Sequence, residues 1–179
     1  DVVLGLDTNL IAHARAMDLI APHGIDAANL TMPISWDDPQ FLPYDWGYFA
    51  FVHGTDLENP PSNFRELADS DLRIVIQDPR SSTPGLGLLM WVKAAYGDEA
   101  ASIWEGLADN IVTVTPGWSE AYGLYLEGEA DMVLSYTTSP AYHLIAEEDD
   151  SHTVAAFEEG HYMQVEVAGI ISISNEMDL

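Results

Sequence analysis

The hydroxyl side chains of Ser82 and Thr83 stand directly before Pro84 and Gly85, in the segment QDPRSSTPGLG. An apolar run, LGLLMWVKAAYG, follows, and proline after Ser or Thr indicates the first turn of a helix. The first N–H groups of a helix have no partner within it and carry partial positive charge. With the hydroxyls, and with Arg80 nearby, they form a site suited to an anion. The same pattern also fits an ordinary helix N-cap.

Two further segments repeat this arrangement. TPGWSEAYG follows the strand-like run IVTVT, and SYTTSPAYH follows DMVLS, so each joins the end of a predicted strand to the start of a predicted helix. Ligands of open α/β sheets bind at the carboxyl ends of strands, where such loops converge. Trp118, Tyr136 and Tyr142 are therefore candidates for the walls of a pocket. Candidate hydrogen-bond donors to its ligand are Ser82, Thr83, Ser119 and Thr137.

Strands and helices must alternate to place these three loops. The predicted strands are residues 2–6, 47–53, 72–77, 111–115, 132–135 and 163–173. The predicted helices are residues 9–20, 64–68, 84–96, 99–107, 119–126 and 141–146. This alternation favours an α/β fold with a largely parallel sheet covered on both faces. The acidic run EEDDS is interpreted as a solvated loop.

The charge of the chain narrows the choice of partner. Its 179 residues carry 30 acidic and 5 basic side chains, for a formal net charge of −25. Nucleic acid is a poor partner for such a surface, because its binding depends on Lys and Arg at the phosphates. A cation is favoured instead. An acidic composition with a single Lys also suits a protein adapted to high salt, a hypothesis that melting against salt concentration tests. The sequence holds no apolar run of eighteen residues, so we expect no insertion into a membrane.

Catalytic and metal-binding patterns are not apparent in the sequence. It contains no GxSxG, no HExxH and no cysteine, and its six histidines show no paired ligand spacing. His143 and His161 are interpreted as core or surface residues. An iron carrier would use two adjacent tyrosines, whereas Tyr136 and Tyr142 lie six apart. We therefore expect neither an enzyme nor a metal site.

Five longer segments carry a family resemblance. They are DVVLGLDTNL, FLPYDWGYFAFV, QDPRSSTPGLGLLMW, TVTPGWSEAYGLYLEGEADMVLSYTTSPAYH and EEGHYMQVEVA, and they extend from the first residue to about Ala168. In these segments the chain resembles the periplasmic thiamine-binding proteins of bacterial ABC transporters, within the type II periplasmic substrate-binding family.

The resemblance implies an α/β fold of two lobes joined by hinge strands near residues 47–53 and 162–167. Residues 1–46 would form part of lobe 1, residues 47–161 a complete lobe 2, and residues 162–179 the return strand and the start of the remaining lobe 1 segment. The chain would then be an internal fragment, without the signal peptide and the carboxy-terminal helical segment of a full family member.

The implied function is capture of thiamine, thiamine monophosphate or thiamine diphosphate in the periplasm and delivery to the permease of an ABC transporter, without a cofactor. Trp118, Tyr136 and Tyr142 would stack on the ligand or hydrogen-bond to it. Ser82, Thr83 and the Gly85 amide would receive its hydroxyethyl or phosphate end. Ser119 would also contact it, and Asp7 would either face the cleft or cap a helix. The alternative is a carrier of ferric ion, another small cation or a polyamine.

Overall fold

The computed structural model describes residues 1–27 and 30–172. The strands are β1 (Val2–Asp7), β2 (Ile20–Ala21), β3 (Phe41–Gly54), β4 (Ile74–Gln77), β5 (Ile111–Thr115), β6 (Met132–Tyr136), β7 (His152–Val154) and β8 (Met163–Ile171). The α-helices are α1 (Ile11–Ala16), α2 (Phe64–Ala68), α3 (Thr83–Tyr96), α4 (Ala100–Leu107), α5 (Trp118–Leu126) and α6 (Ser139–Tyr142). A 3₁₀ turn at Gly97–Glu99 precedes α4, and a π-helix at His143–Glu147 follows α6.

The chain divides into two compact units. The first unit comprises residues 1–46 and 164–179, and the second comprises residues 47–163. Strand β3 carries the chain from the first unit into the second, and β8 carries it back. Within the first unit, β1 and β2 both pair antiparallel with β8.

The sheet of the second unit is mixed rather than largely parallel. Its strand order is β7-β3-β6-β4-β5. Strand β4 runs parallel to β5 on one side and to β6 on the other, whereas β3 pairs antiparallel with both β6 and β7. The prediction of a largely parallel sheet is therefore wrong. The helices that follow β4 and β5 return the chain for parallel pairing, but β3 enters from the other unit and runs the opposite way.

Both faces of this sheet are covered, as predicted. Successive side chains of a strand point to opposite faces, so Phe51 of β3 joins one buried cluster and Val52 joins the other. Helices α2, α3 and α4 bury side chains against the first cluster, including Phe64 and Trp91. Helix α5 covers the opposite face, where Tyr125 packs with the second cluster. The apolar runs of the strands reflect this two-sided burial.

Two glycines allow α3 to lie close to the sheet. A Cβ atom on Gly87 would come within 2.0 Å of the ring of Phe49, which is completely buried. A Cβ atom on Gly85 would come within 2.3 Å of the carbonyl oxygen of Gln77 at the end of β4. Side chains at these positions would push the helix away from the strands, so both glycines fix the start of α3 against the sheet.

Several element boundaries differ from their predictions. The helix predicted over residues 9–20 is limited to Ile11–Ala16, because Asp18 turns the chain at φ 55° and Ile20 enters β2. The helix predicted over 141–146 begins earlier, at α6, and continues as a π-helix. Residue 173, predicted as the end of the last strand, lies outside the described residues. Among the residues described, we find no helix with the length and apolarity needed to cross a membrane.

Candidate functional site

Three neighbouring strands of the second unit end at one edge of its sheet. Because β5, β4 and β6 are adjacent and parallel, their carboxyl ends coincide. The loops that leave them lead into α3, α5 and α6, and they are the three loops singled out from the sequence. Hydrogen bonds join these loops: Ser81 Oγ donates to the carbonyl oxygen of Pro116 at 2.7 Å. The predicted convergence of the three loops is confirmed.

In the loop between β4 and α3, the hydroxyl of Ser82 does not cap the helix that follows. Ser82 is the N-cap residue of α3 and has extended backbone angles, but its side chain makes no capping hydrogen bond. The hydroxyl of a plain N-cap would accept from the first turn of the helix. Ser82 and Thr83 are both half-buried at this helix start, which is the geometry expected of groups that can receive an anion.

Arg80 braces this loop. Its guanidinium binds the carboxylate of Asp78, with Nε 2.9 Å from Oδ1, and its backbone N–H donates to the same oxygen at 2.8 Å. These hydrogen bonds from Arg80 lower the pKa of Asp78 to about 2. The Arg80 side chain is 87% exposed. The structure therefore pairs Arg80 with Asp78, so that its side chain braces the loop.

Trp118 is the first residue of α5 and is fixed in orientation by the neighbouring strand. Its indole Nε1 donates to the hydroxyl of Ser135, which is completely buried at the end of β6. Ser139 Oγ lies 2.7 Å from the same hydroxyl. The indole also lies against Tyr122, with ring centroids 5.0 Å apart. The residue remains 39% exposed, so part of it is available to a ligand.

A pocket of about 320 Å³ lies beside Trp118. Its lining residues are Trp118, Tyr122, Leu126, Thr138, Ser139, Tyr142, His143 and Glu147. Two of the predicted aromatic walls, Trp118 and Tyr142, are thus brought together, and Tyr142 is 63% exposed. The volume lies at the lower end of the range of small-molecule sites, which is about 300–1,000 Å³.

The other predicted site residues of the second unit lie outside this lining. Tyr136 ends β6 and packs on Phe49, with ring centroids 5.2 Å apart. Ser119 is exposed in the first turn of α5. Gly85 is buried against β4, so only its backbone could serve a ligand. Their roles toward a ligand stay predictions.

Asp7 belongs to the first unit, where it shapes a turn. Its Oδ1 accepts from the N–H of Asn9 at 2.6 Å, and Leu10, not Asp7, is the N-cap of α1. The capping alternative is therefore wrong in detail, since Asp7 closes the turn before the helix. Asp7 is 1% exposed, and its Oδ2 has no hydrogen-bond partner among the described residues.

Sequence reasoning missed Tyr122 and Glu147 as pocket residues. Tyr122 lies four positions after Trp118 in α5, and this spacing places both on one face of a helix. Glu147 lies four positions after His143, whose Nδ1 is 2.6 Å from its Oε2. Helical spacing could have indicated Tyr122. Glu147 was not apparent, because the acidic run that it begins is typical of a solvated loop.

The arrangement of these elements is that of a known class of protein. Residues 1–167 match the sequence profile of the bacterial extracellular solute-binding proteins, and the chain belongs to this family. Its mixed α/β fold is that of the type II periplasmic binding proteins.

Individual relatives match nearly the whole of this chain. A thiamine-binding periplasmic protein of Brucella abortus is 54% identical over 171 residues, which are 94% of this chain and 51% of that protein. The thiamine-binding periplasmic protein of Escherichia coli K12 is 53% identical over 182 residues, covering all of this chain and 56% of that protein. A solved structure of a periplasmic thiamin binding protein superposes with a TM-score of 0.93 at 53% identity, covering 98% of this chain and 56% of that one. The chain thus spans about half the length of the relatives it matches.

Proposed function

We propose that this protein captures thiamine, or one of its phosphates, outside the cytoplasm and delivers it to the membrane permease of an ABC transporter. The observation that carries the proposal is the pocket lined by Trp118, which begins the helix that leaves β5, and Tyr142, which ends the helix that leaves β6. The identity of 53–54% to proteins named for thiamine binding supports the choice of ligand.

Thiamine joins a flat aminopyrimidine to a positively charged thiazolium ring. Exposed aromatic faces attract such a cation through their π-electrons, and Trp118 and Tyr142 offer two of them. The carboxylate of Glu147 lines the same pocket and adds a negative charge. The net charge of −25 raises the local concentration of a cationic ligand around the protein as a whole.

The far end of the ligand carries a hydroxyl group or phosphates. Ser82 and Thr83 stand at the start of α3, on the loop adjacent to that of Trp118. Their hydroxyls and the helix N–H groups suit an anion or a hydroxyl group. We assign the hydroxyethyl or phosphate end to this loop and include Gly85 through its backbone N–H. Ser119 and Tyr136 complete the proposed contacts of the second unit.

The proposed activity is binding without a chemical step and without a cofactor. In binding proteins of this kind, the ligand binds one conformation more tightly than the other and so shifts the population toward that conformation. The pocket holds aromatic and carboxylate groups that suit recognition of a cation. The ferric-ion alternative is not favoured, because Tyr136 packs on Phe49 while Tyr142 lines the pocket, and the similar relatives are named for thiamine.

The test is titration calorimetry with thiamine, thiamine monophosphate and thiamine diphosphate. We expect saturable binding of at least one, with quenching of Trp fluorescence, and a loss of affinity of about tenfold or more in Trp118→Ala. The Trp118→Phe variant keeps an aromatic face and should retain part of the affinity. Absence of binding to all three ligands, while circular dichroism shows a folded protein, would overturn the proposal.

A matched pair of variants locates the second wall. Tyr142→Ala removes an exposed ring that lines the pocket, whereas Leu144→Ala removes a side chain of similar exposure outside its lining. We expect Tyr142→Ala to weaken thiamine binding about tenfold and Leu144→Ala to leave it unchanged. Equal effects of the two substitutions would show that the pocket is not the thiamine site.

A further inference from the structure

Two histidines and an aspartate meet on the second unit, in a cluster formed by His143, Asp149 and His152. One donor atom from each of these side chains lies within 4.8 Å of the other two. The two imidazole rings are close, with centroids 4.2 Å apart, and Nε2 of His152 is 3.4 Å from Oδ2 of Asp149. His143 is only 3% exposed. Nothing in the proposed thiamine contacts requires His152 or Asp149.

The fold, and not the spacing in sequence, creates this cluster. His143 opens the π-helix, and Glu148 ends it in the left-handed conformation at φ 56°. The chain then turns back, with the N–H of Asp149 donating to the carbonyl oxygen of His143 at 3.1 Å, and His152 begins β7. The two histidines are nine positions apart in the sequence, which is why no ligand pattern was visible there.

A tyrosine hydroxyl lies within hydrogen-bond distance of each imidazole ring. Nε2 of His143 lies 2.8 Å from the hydroxyl of Tyr122, and Nδ1 of His152 lies 2.7 Å from that of Tyr125. Both tyrosines project from α5. In protein metal sites, the second nitrogen of a ligand histidine donates to an oxygen, which fixes the ring and its tautomer. Here each ring has a tyrosine oxygen within hydrogen-bond distance of one of its nitrogens.

The remaining nitrogens face carboxylates. Nδ1 of His143 is 2.6 Å from Oε2 of Glu147, and Nε2 of His152 faces Asp149. Two imidazoles with one or two carboxylates are a donor set for Zn²⁺, whose bonds to such atoms are about 2.0–2.2 Å. Ligand atoms of a tetrahedral zinc ion are therefore about 3.5 Å apart, so the donor atoms of the cluster, which lie within 4.8 Å of one another, would approach by up to about 1.3 Å. Oε2 of Glu147, at 2.6 Å from Nδ1 of His143, would move about 1 Å away from it to serve as a ligand.

We infer that His143, His152 and Asp149 form a zinc-binding site, with Glu147 or a water molecule as the fourth ligand. Imidazole and carboxylate together favour zinc and neighbouring transition metals over Mg²⁺ and Ca²⁺, which prefer oxygen ligands alone. The site adjoins the candidate thiamine pocket, because His143 and Glu147 also line that pocket. The inference goes beyond the proposed transport function and does not depend on it.

The test is calorimetric titration of the untagged chain with Zn²⁺, followed by Co²⁺ as a spectroscopic probe. We expect one strong site and intense visible Co²⁺ bands of tetrahedral coordination. His152→Ala should weaken zinc binding by about 100-fold, and His13→Ala, which removes an exposed histidine of the first unit, should leave it unchanged. Tyr125→Phe keeps all ligands but removes a ring support, and should weaken binding about tenfold.

The outcomes distinguish a specific zinc site from general attraction of cations to an acidic surface. Equal zinc affinity in the native protein and His152→Ala, or displacement of zinc by equimolar Mg²⁺, would overturn the inference. A misfolded His152→Ala would be recognised by circular dichroism, and Asp149→Asn, at a half-exposed position, then serves as the deciding variant. Because His152 does not line the thiamine pocket, thiamine binding by His152→Ala shows whether the two proposals stand separately.

Discussion

The indole N–H of Trp118 donates a hydrogen bond to the hydroxyl of Ser135, at a distance of 2.8 Å. One residue begins α5 and the other lies near the end of β6, so this bond ties the second candidate loop to the third. The hydroxyl of Ser135 is fully buried and also contacts Ser139. The proposed stacking surface is therefore held by the sheet, and its orientation does not depend on the ligand.

Ser135→Ala should release Trp118 without removing its ring. The substitution leaves the partly buried indole N–H without its partner, so we expect a loss of about 1 kcal/mol in the free energy of unfolding. Thiamine affinity should fall several-fold, since the ring loses its fixed orientation. Urea denaturation and calorimetry measure the two effects. Ser102→Ala, which removes an exposed hydroxyl bonded to the carbonyl oxygen of Glu99, is the control and should change the affinity little.

Two glycine substitutions should have opposite effects on stability. Gly87→Ala places a methyl group against the buried ring of Phe49 and should destabilise the protein by about 1–3 kcal/mol. Gly123→Ala, inside α5, meets no atom within 4 Å and should stabilise it by about 0.5–1 kcal/mol. Urea midpoints of both variants test this. A neutral Gly87→Ala would mean that α3 can move away from the sheet at little cost.

Stability should fall steeply above about pH 10. Burial and the charge of Glu147 raise the pKa of Tyr122 to about 12, from about 10 in an unfolded chain. Between these values the unfolded chain loses the phenolic proton while the folded protein keeps it, so rising pH favours unfolding. The contribution is fully present below pH 10 and lost by about pH 12. With one Lys and eight Tyr in the chain, tyrosines dominate titration in this range.

Urea midpoints at pH 8, 10 and 11 check this prediction. Tyr122→Phe cannot ionise at this position, so its stability should decline less than that of the native protein. Tyr142→Phe, which changes an exposed tyrosine, should follow the native decline. Parallel curves for the native protein and Tyr122→Phe would contradict the assignment of the effect to Tyr122.

The melting temperature should rise with salt. A net charge of −25 on 179 residues produces self-repulsion in the compact state. Raising NaCl from 0.1 to 1 M shortens the screening length from about 10 to about 3 Å, and we expect an increase of several degrees. The same increase in choline chloride would assign it to screening and not to sodium binding. A melting temperature independent of salt would contradict the hypothesis that the protein is adapted to high salt.

Local signals predicted some elements well. Helix α2 agrees with its prediction at both ends. At its start the side chain of Asn63 accepts from the N–H of Glu66, and the Glu66 carboxylate accepts from the N–H of Ser62. Such an N-cap is readable from adjacent residues alone. Helix α1 was predicted too long because Ile20, apolar and in helical phase, instead pairs with Ile171 of β8. Because these two residues lie about 150 positions apart, the sequence around Ile20 does not indicate their pairing.

In the candidate site, too, local features were predictable from the sequence and long-range contacts were not. The three loops were identifiable, since Ser, Thr, Gly and Pro between a strand and a helix are local features. The absence of Tyr136 from the pocket lining was not, because it follows from the packing of Tyr136 on Phe49. The meeting of His143 with His152 was hidden for a similar reason, since it requires the chain to reverse between them.

The π-helix at His143–Glu147 makes the length of this segment a determinant of the site. A π-helix holds one more residue per turn than an α-helix needs, so deleting one residue here would restore ordinary helical winding. Side chains on either side of the deletion would then rotate by about 100° relative to each other. Tyr142 and His143 could no longer face the same pocket wall as Glu147. Substitutions at the exposed Leu144 and Ile145 of this turn are therefore tolerable where a change of length is not, and its residue count is as informative as its composition.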